Sequence, residues 1–267
     1  MDEHRKKILV VDDEQVIVDS VVRLCSDEGI DVDTALDANE AFKKIEHNKY
    51  QLIVTDIMMP GIDGFQLIAK LKEDHIRTPV IITTGYSTVE NAVKSLYEGA
   101  IDFLPKPFTI DELFSSIYRG IRYAGLMDGV QPEIGELPKI DFAPCPVTYY
   151  RLGYLTWAKL EDDGSVKIGV TDIFLKTIKT IKKIDLFQLD EEIIQGNTCA
   201  QIETEIGLMH NILAPMTGRI IDKNDKLLNN KDLIEKDPYF EGWIYTIIPS
   251  DLDYELKHLT SCSSDRL

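Results

Sequence analysis

Basic charge is what this sequence most lacks: 29 lysines and arginines face 46 aspartates and glutamates, for a formal net charge of −17. The deficit is general. Residues 1–125 carry 22 acidic and 14 basic side chains, and the remainder 24 and 15. Nucleic-acid binding needs a basic footprint to neutralise phosphates, so neither half is expected to bind it, and the acidity reads as a self-repelling soluble surface. Cysteine is scarce too. Cys25, Cys145, Cys199 and Cys262 are far apart and form no CxxC pair, which argues against a zinc cage or a disulfide framework and suits a reducing compartment. Cys145, between two prolines and without a basic neighbour, is left unassigned. No apolar run approaches the roughly 20 residues that span a bilayer. The start, MDEHRKKILVVDDE, lacks the apolar stretch and small-residue cleavage site of a signal peptide. The expectation is a soluble, cytoplasmic protein with no membrane association. At 267 residues and 44% hydrophobic content, two domains are expected.

Through residue 125, apolar runs alternate with amphipathic helical patterns. KILVV (7–11), QLIVTDI (51–57) and PVIITTG (79–85) are continuous apolar runs, as in strands covered on both faces. DVDTAL and IDFLPKP are two further strands. Helices are read from Ile17, Val21, Leu24 and Cys25, from NEAFKKIEHN, from a capping box at Ser87–Glu90, and from a second at Thr109–Glu112 running to about Leu126. Five βα units imply a doubly wound parallel sheet with its ligand site at the carboxyl ends of the strands. Asp12 and Asp13 close the first strand, Asp56 the third, Thr84 the fourth and Lys106 the fifth. Three converging carboxylates would repel unless a hard cation joined them, and oxygen-only ligation suits Mg²⁺. An aspartate beside that cation can attack a phosphoryl group, with the cation and Lys106 offsetting charge on the transferring oxygens.

VVDDE, VTDIMMPGIDG, TTGYS and DFLPKPF make this region resemble the receiver domain of two-component response regulators. The resemblance implies a flavodoxin-like fold with Asp56 as phosphoacceptor. Asp12, Asp13, Asp56 and the backbone carbonyl of Met58 would hold Mg²⁺, Thr84 and Lys106 would sense the phosphoryl group, and Phe103 would be the switch aromatic. It also implies a cis Lys106–Pro107 bond, a histidine kinase or phosphotransfer protein as partner, and a homodimer through the face made by the fourth helix, fifth strand and fifth helix. Met58 and Tyr86 flank the acceptor, where apolar bulk would shield an acyl phosphate from water.

Residues 126–146 mix glycine, proline and charge without a period and read as a linker. Beyond it lie short alternating strands: a hairpin turning at Asp163-Gly164, a short helix in TDIFLKTIKTI, a strand in KIDLFQL, a turn at Gln195-Gly196-Asn197, and a closing strand in GWIYTIIP. Such strands fit an antiparallel barrel or sandwich. TWAKLEDDGSVKIGVTD, APMTGRI and DPYFEGWIYTIIPSD resemble, in order, the H protein of the glycine cleavage system over residues 147–262. That implies a lipoyl-type barrel-sandwich hybrid. The lipoyl lysine does not carry over, because Gly207 stands at the hairpin tip and the nearest lysines in sequence are Lys183 and Lys223. Neither lipoate nor biotin is expected. Glu203 and Glu205 are read as solubilising, Cys199 as core packing and His210 as a packing or surface residue.

The expected function is that of a response regulator, not an enzyme beyond its own phosphotransfer and autodephosphorylation. Its H-like domain would act on an unnamed protein partner. The alternative is a phosphorylation-regulated carrier or regulator of glycine cleavage or lipoyl metabolism.

Overall fold

The computed structural model describes residues 6–130 and 140–264. Of the expected linker, residues 126–146, residues 131–139 lie outside the described residues, and residues 126–130 are helical instead. Two compact units are present, Met1–Ser87 with Glu98–Gln131, and Thr88–Tyr97 with Pro132–Leu267.

The N-terminal sequence alternates strand and helix: β1 (Lys7–Val11), α1 (Gln15–Asp27), β2 (Asp31–Ala35), α2 (Ala38–His47), β3 (Leu52–Asp56), α3 (Gly64–Glu73), β4 (Val80–Thr84), α4 (Val89–Tyr97), β5 (Asp102–Pro105) and α5 (Ile110–Val130). The strands form one parallel sheet in the order β2-β1-β3-β4-β5. β3 and β4 are buried along their whole length, as their unbroken apolar runs require when helices cover both faces. Leu9, Val11, Ile53, Leu67, Ile68 and Ile82 anchor one of the cores. The Thr109–Glu112 capping box is present, with each residue's side chain bonded to the other's backbone N–H, but α5 continues four residues past Leu126. The expected box at Ser87–Glu90 is displaced by one: Thr88, not Ser87, accepts from the Asn91 N–H at 3.2 Å. A Ser-Thr pair offers two candidate caps, and the sequence alone does not choose between them.

The C-terminal part is antiparallel. It comprises β6 (Tyr150–Leu152), β7 (Thr156–Leu160), β8 (Val166–Val170), α6 (Asp172–Thr177), β9 (Ile181–Leu186), β10 (Glu192–Ile193), β11 (Thr198–Thr204), β12 (Met209–Leu213), β13 (Gly218–Lys223), α7 (Lys226–Asn229), α8 (Asp232–Lys236), β14 (Tyr245–Pro249), α9 (Leu252–Glu255) and β15 (Thr260–Ser261). Seven strands run β10-β13-β14-β8-β7-β6-β15, and three run β12-β11-β9. Ile168, Ile181, Ile202, Ile212, Ile220 and Ile247, each from a different strand, meet in the core. The β7–β8 hairpin turns where expected, with the Gly164 N–H bonded to the Glu161 carbonyl and the Ser165 N–H to Asp163 Oδ1. The fold is thus α/β followed by all-β.

Candidate functional site

In a 2-1-3-4-5 sheet the strand order reverses between β1 and β3, and a crevice opens at their carboxyl ends. Register delivers the site residues there. Val11 lies beside Thr55 and Asp56 beside Thr83, so Asp12 and Asp56 emerge next to each other. Thr84 pairs with Pro105, and the Lys106 N–H bonds the Thr84 carbonyl at 2.8 Å. Lys106 reaches back into the crevice, placing Nζ 2.6 Å from Asp12 Oδ2 and 2.8 Å from Asp56 Oδ1. The Lys106–Pro107 bond is cis.

One ammonium between two buried carboxylates leaves the crevice net negative. Burial pushes the Asp12 carboxyl above its ordinary range, and the hydrogen bond from Lys106 pulls it the other way. Burial also works against the Lys106 charge, but hydrogen bonds to Asp12 and Asp56 outweigh it and hold its pKa above the usual lysine value. A second cation is favoured in such a place, and a hard divalent ion such as Mg²⁺ fits donors that are all oxygen. Asp12 and Asp56 would be its carboxylate ligands. Asp13 lies exposed beside Asp12. Among the described residues no three Asp, Glu, His or Cys side chains are gathered into a metal cage, so the exposed Asp13, backbone and water would complete the shell.

The other expected residues take distinct places. Thr84 is fully buried, and its Oγ1 accepts from the Tyr86 N–H at 3.1 Å. Met58 meets the acceptor through its own N–H, which donates to Asp56 Oδ2, while its side chain and that of Tyr86 are exposed. Phe103 is half-buried against the sheet core. Two participants were missed. Glu14 lies 3.5 Å from Lys106 Nζ and donates its N–H to Asp12 Oδ1; its place right after the DD pair was the available signal. Gly64 packs so closely that a Cβ there would collide with the Asp56 carbonyl oxygen. Gly64→Ala is therefore expected to destabilise the α/β unit by about 1–3 kcal/mol and to disturb the acceptor loop. Urea unfolding followed by circular dichroism checks this, and a wild-type midpoint would count against the packing argument.

In the C-terminal part, Gly207 sits in the β11–β12 turn at φ 82°, with its N–H bonded to the Thr204 carbonyl at 2.8 Å. Positive φ is what glycine permits at low cost. A Cβ there would meet nothing within 4 Å, so the tip is open. Glu203 and Glu205 are not merely solubilising: Lys182 pairs with Glu203, and Lys231 Nζ lies 3.3 Å from Glu205 Oε1. Folding therefore brings lysines to the hairpin that are distant in sequence, and both are engaged with its glutamates. His210 is buried, edge-on to Phe174.

Cys199 is core packing as expected, and burial pushes its thiol up to about 12 from the ordinary 9.0. Iodoacetamide at pH 8 is expected to alkylate Cys199 roughly 1000-fold more slowly in the folded than in the denatured chain. Peptide mapping reads this directly, and equal rates would contradict it. Between pH 9 and 12 the unfolded chain loses this proton while the folded one keeps it, so Cys199 lowers stability as pH rises through that window.

Fold and strand-end residues together define an α/β domain of the receiver class followed by an antiparallel β domain. Residues 8–118 match the family model of the response regulator receiver domain, and residues 148–265 that of the glycine cleavage H-protein; the chain joins one domain of each family. The transcriptional regulatory protein TcrA of Mycobacterium tuberculosis is 39% identical over 111 residues, 42% of this chain and 44% of that protein. The response regulator MprA of a Mycobacterium species is 34% identical over 142 residues, 53% of this chain and 61% of that protein. The chain thus spans about half the length of the curated relatives it matches. A crystal structure of a glycine cleavage system H protein from Mycobacterium marinum is 22% identical, covering 45% of this chain and 94% of that one, with a TM-score of 0.40. Among the described residues no helix is long and apolar enough to cross a membrane.

Proposed function

We propose that this protein is a two-component response regulator, phosphorylated on Asp56 by a histidine kinase or phosphotransfer protein, whose residues 147–262 act as a non-lipoylated, protein-binding output domain. The observation that carries this reading is the pair of buried carboxylates, Asp12 and Asp56, bridged by Lys106 at the switch point of the sheet. Asp56 supplies the nucleophilic oxygen. Asp12, Asp13 and the Met58 carbonyl join it in holding Mg²⁺, which when bound offsets charge on the phosphoryl oxygens. Lys106 carries positive charge at neutral pH and can turn from Asp56 to an incoming phosphoryl oxygen. Thr84 offers a buried hydroxyl to the same group, and Phe103 follows it as the switch aromatic. Apart from this phosphotransfer and hydrolysis of its own acyl phosphate, no catalytic activity is assigned to it.

The C-terminal assignment is supported by the open glycine tip and by the absence of any lysine between residues 184 and 222. Without an amine at the tip, the domain keeps a carrier's surface and has no arm to swing. Relatives named transcriptional regulatory proteins match over stretches of 111 to 131 residues, whereas the second half here matches the H protein, and neither half is basic. A protein partner in the cytoplasm therefore fits better than DNA.

Intact-mass measurement separates this from the carrier alternative. Incubation with acetyl phosphate and Mg²⁺ is expected to add one phosphoryl group, and none is expected when EDTA is present from the start. Co-expression with lipoylation enzymes is expected to add nothing. A lipoyl adduct on any lysine, Lys182 and Lys231 included, would overturn the output reading and restore the carrier.

A further inference from the structure

Cys145 and Cys262 are 117 positions apart, yet their sulfurs lie 2.6 Å from each other. The pairing rests on a built framework on both sides. Cys262 is 2% exposed and follows β15, which pairs with β6 through Thr260–Arg151 and Ser261–Tyr150; its own N–H donates to the Tyr149 carbonyl at 2.9 Å. On the other side, the Ala143 N–H donates to Asp172 Oδ2 at 2.6 Å, and the Tyr239 hydroxyl donates to the Ala143 carbonyl at 3.0 Å. The Tyr149 N–H closes a turn onto the Pro146 carbonyl at 2.9 Å. Pro144 and Pro146 fix the backbone on either side of Cys145. Tyr149, Trp157 and Tyr239 surround the pair. Cys145 is half-buried, open to a small oxidant, with Cys262 beneath it. A metal site would need more ligands than these two thiols, and the described residues gather no third.

We propose that Cys145 and Cys262 are an oxidative modification site that forms a reversible disulfide, joining the segment just before the H-like domain to the turn after its last strand. The oxidant is a hydroperoxide. The Cys145 thiolate attacks one peroxide oxygen and the O–O bond breaks, leaving a sulfenic acid and, from hydrogen peroxide, one water. The Cys262 sulfur then attacks the sulfenic sulfur. The S–S bond forms, the S–O bond breaks, and the departing hydroxide takes the Cys262 proton as a second water. Two thiols lose two electrons and one peroxide gains them. Closing a loop of this length restricts the unfolded chain far more than the folded one, so the disulfide stabilises the domain.

The test uses the full chain, reduced and then treated with a small excess of hydrogen peroxide before thiol blocking. Thiols titrated in denaturant are expected to fall from all four cysteines to the two at Cys25 and Cys199. Intact mass should fall by two hydrogens, and digestion should yield a Cys145–Cys262 cross-linked peptide. The melting temperature of the C-terminal unit should rise on the order of 10 °C and return with dithiothreitol. Cys145→Ser, at the half-buried position, should fold and show neither the link nor the rise; Cys262→Ala should repeat that result. Persistence of all four thiols, links between chains, or oxidation of Cys145 to sulfinic acid without a link would each overturn the proposal.

Discussion

Asp56→Asn is expected to abolish phosphorylation: no phosphoryl adduct forms from acetyl phosphate under conditions that fully modify the wild type. An amide nitrogen or oxygen at this position cannot act as the nucleophile a carboxylate supplies. Asp12 and Asp13 cannot replace it. Asp12 is bound by Lys106 and by the Glu14 N–H, and Asp13 is exposed and outside that cluster. The variant should nonetheless fold. Lys106 has two carboxylates within 2.8 Å, so neutralising one leaves the buried ammonium paired with the other and avoids the penalty of an orphaned internal charge. A melting temperature within a few degrees of wild type, on the scale of about 1 kcal/mol, accompanies the complete loss of modification.

Asp12→Asn provides the contrast. It keeps the nucleophile and removes a carboxylate from the crevice, so phosphorylation should persist but need a higher Mg²⁺ concentration. Titration of the adduct against Mg²⁺ by intact mass distinguishes the two roles. Residual phosphorylation of Asp56→Asn, or complete loss in Asp12→Asn at saturating Mg²⁺, would sink the division of labour between them.

How much of this was legible in the sequence differs between the halves for a physical reason. In a parallel sheet each strand ends on the same edge, so DD, D, T and K at the ends of β1, β3, β4 and β5 are carried to one edge, and Asp12, Asp56 and Lys106 meet there. What sequence could not supply was the partnership within the cluster, because Lys106 chooses Asp12 and Asp56 by side-chain reach. In the antiparallel half, local pairings such as Asp163-Gly164 and the Gly207 tip were readable from turn chemistry. Contacts between distant segments were not. Cys145 read as an isolated thiol because its neighbour comes from the far end of the domain. Lys231 was invisible as a hairpin partner because β12, β13 and α7 lie between it and Glu205 in the chain. The length of α5 was underread because Asp128 and Gly129 weaken the helical signal beyond Leu126.

The second large effect belongs to Trp157. Its side chain is fully buried, and its indole N–H donates to the Val170 carbonyl at 2.9 Å and to the Pro238 carbonyl at 3.2 Å. Across the strand pair it faces Gly169, where a Cβ would come within 2.5 Å of the ring. Tyr149 and Tyr239 pack beside it at centroid distances of 5.1 and 6.3 Å. The indole thus occupies the volume that a side chain at position 169 would take and ties β8 to the segment before Trp243. Trp157→Ala removes the ring and the shared donor together, leaving a cavity that backbone hydrogen bonding prevents from collapsing. The expected cost is about 3–5 kcal/mol. Trp157→Phe keeps most of the volume and loses the N–H, so it should cost about 1–3 kcal/mol. Gly169→Ala should fall in a similar range through overpacking. Both tryptophans, Trp157 and Trp243, lie in the C-terminal half, so Trp243 fluorescence in urea follows this domain alone and keeps its unfolding separate from that of the receiver. A Trp157→Ala midpoint equal to wild type would show that the indole is not the keystone of the sheet, and a phenylalanine variant as damaged as the alanine one would assign its role to the hydrogen bonds instead of the packing.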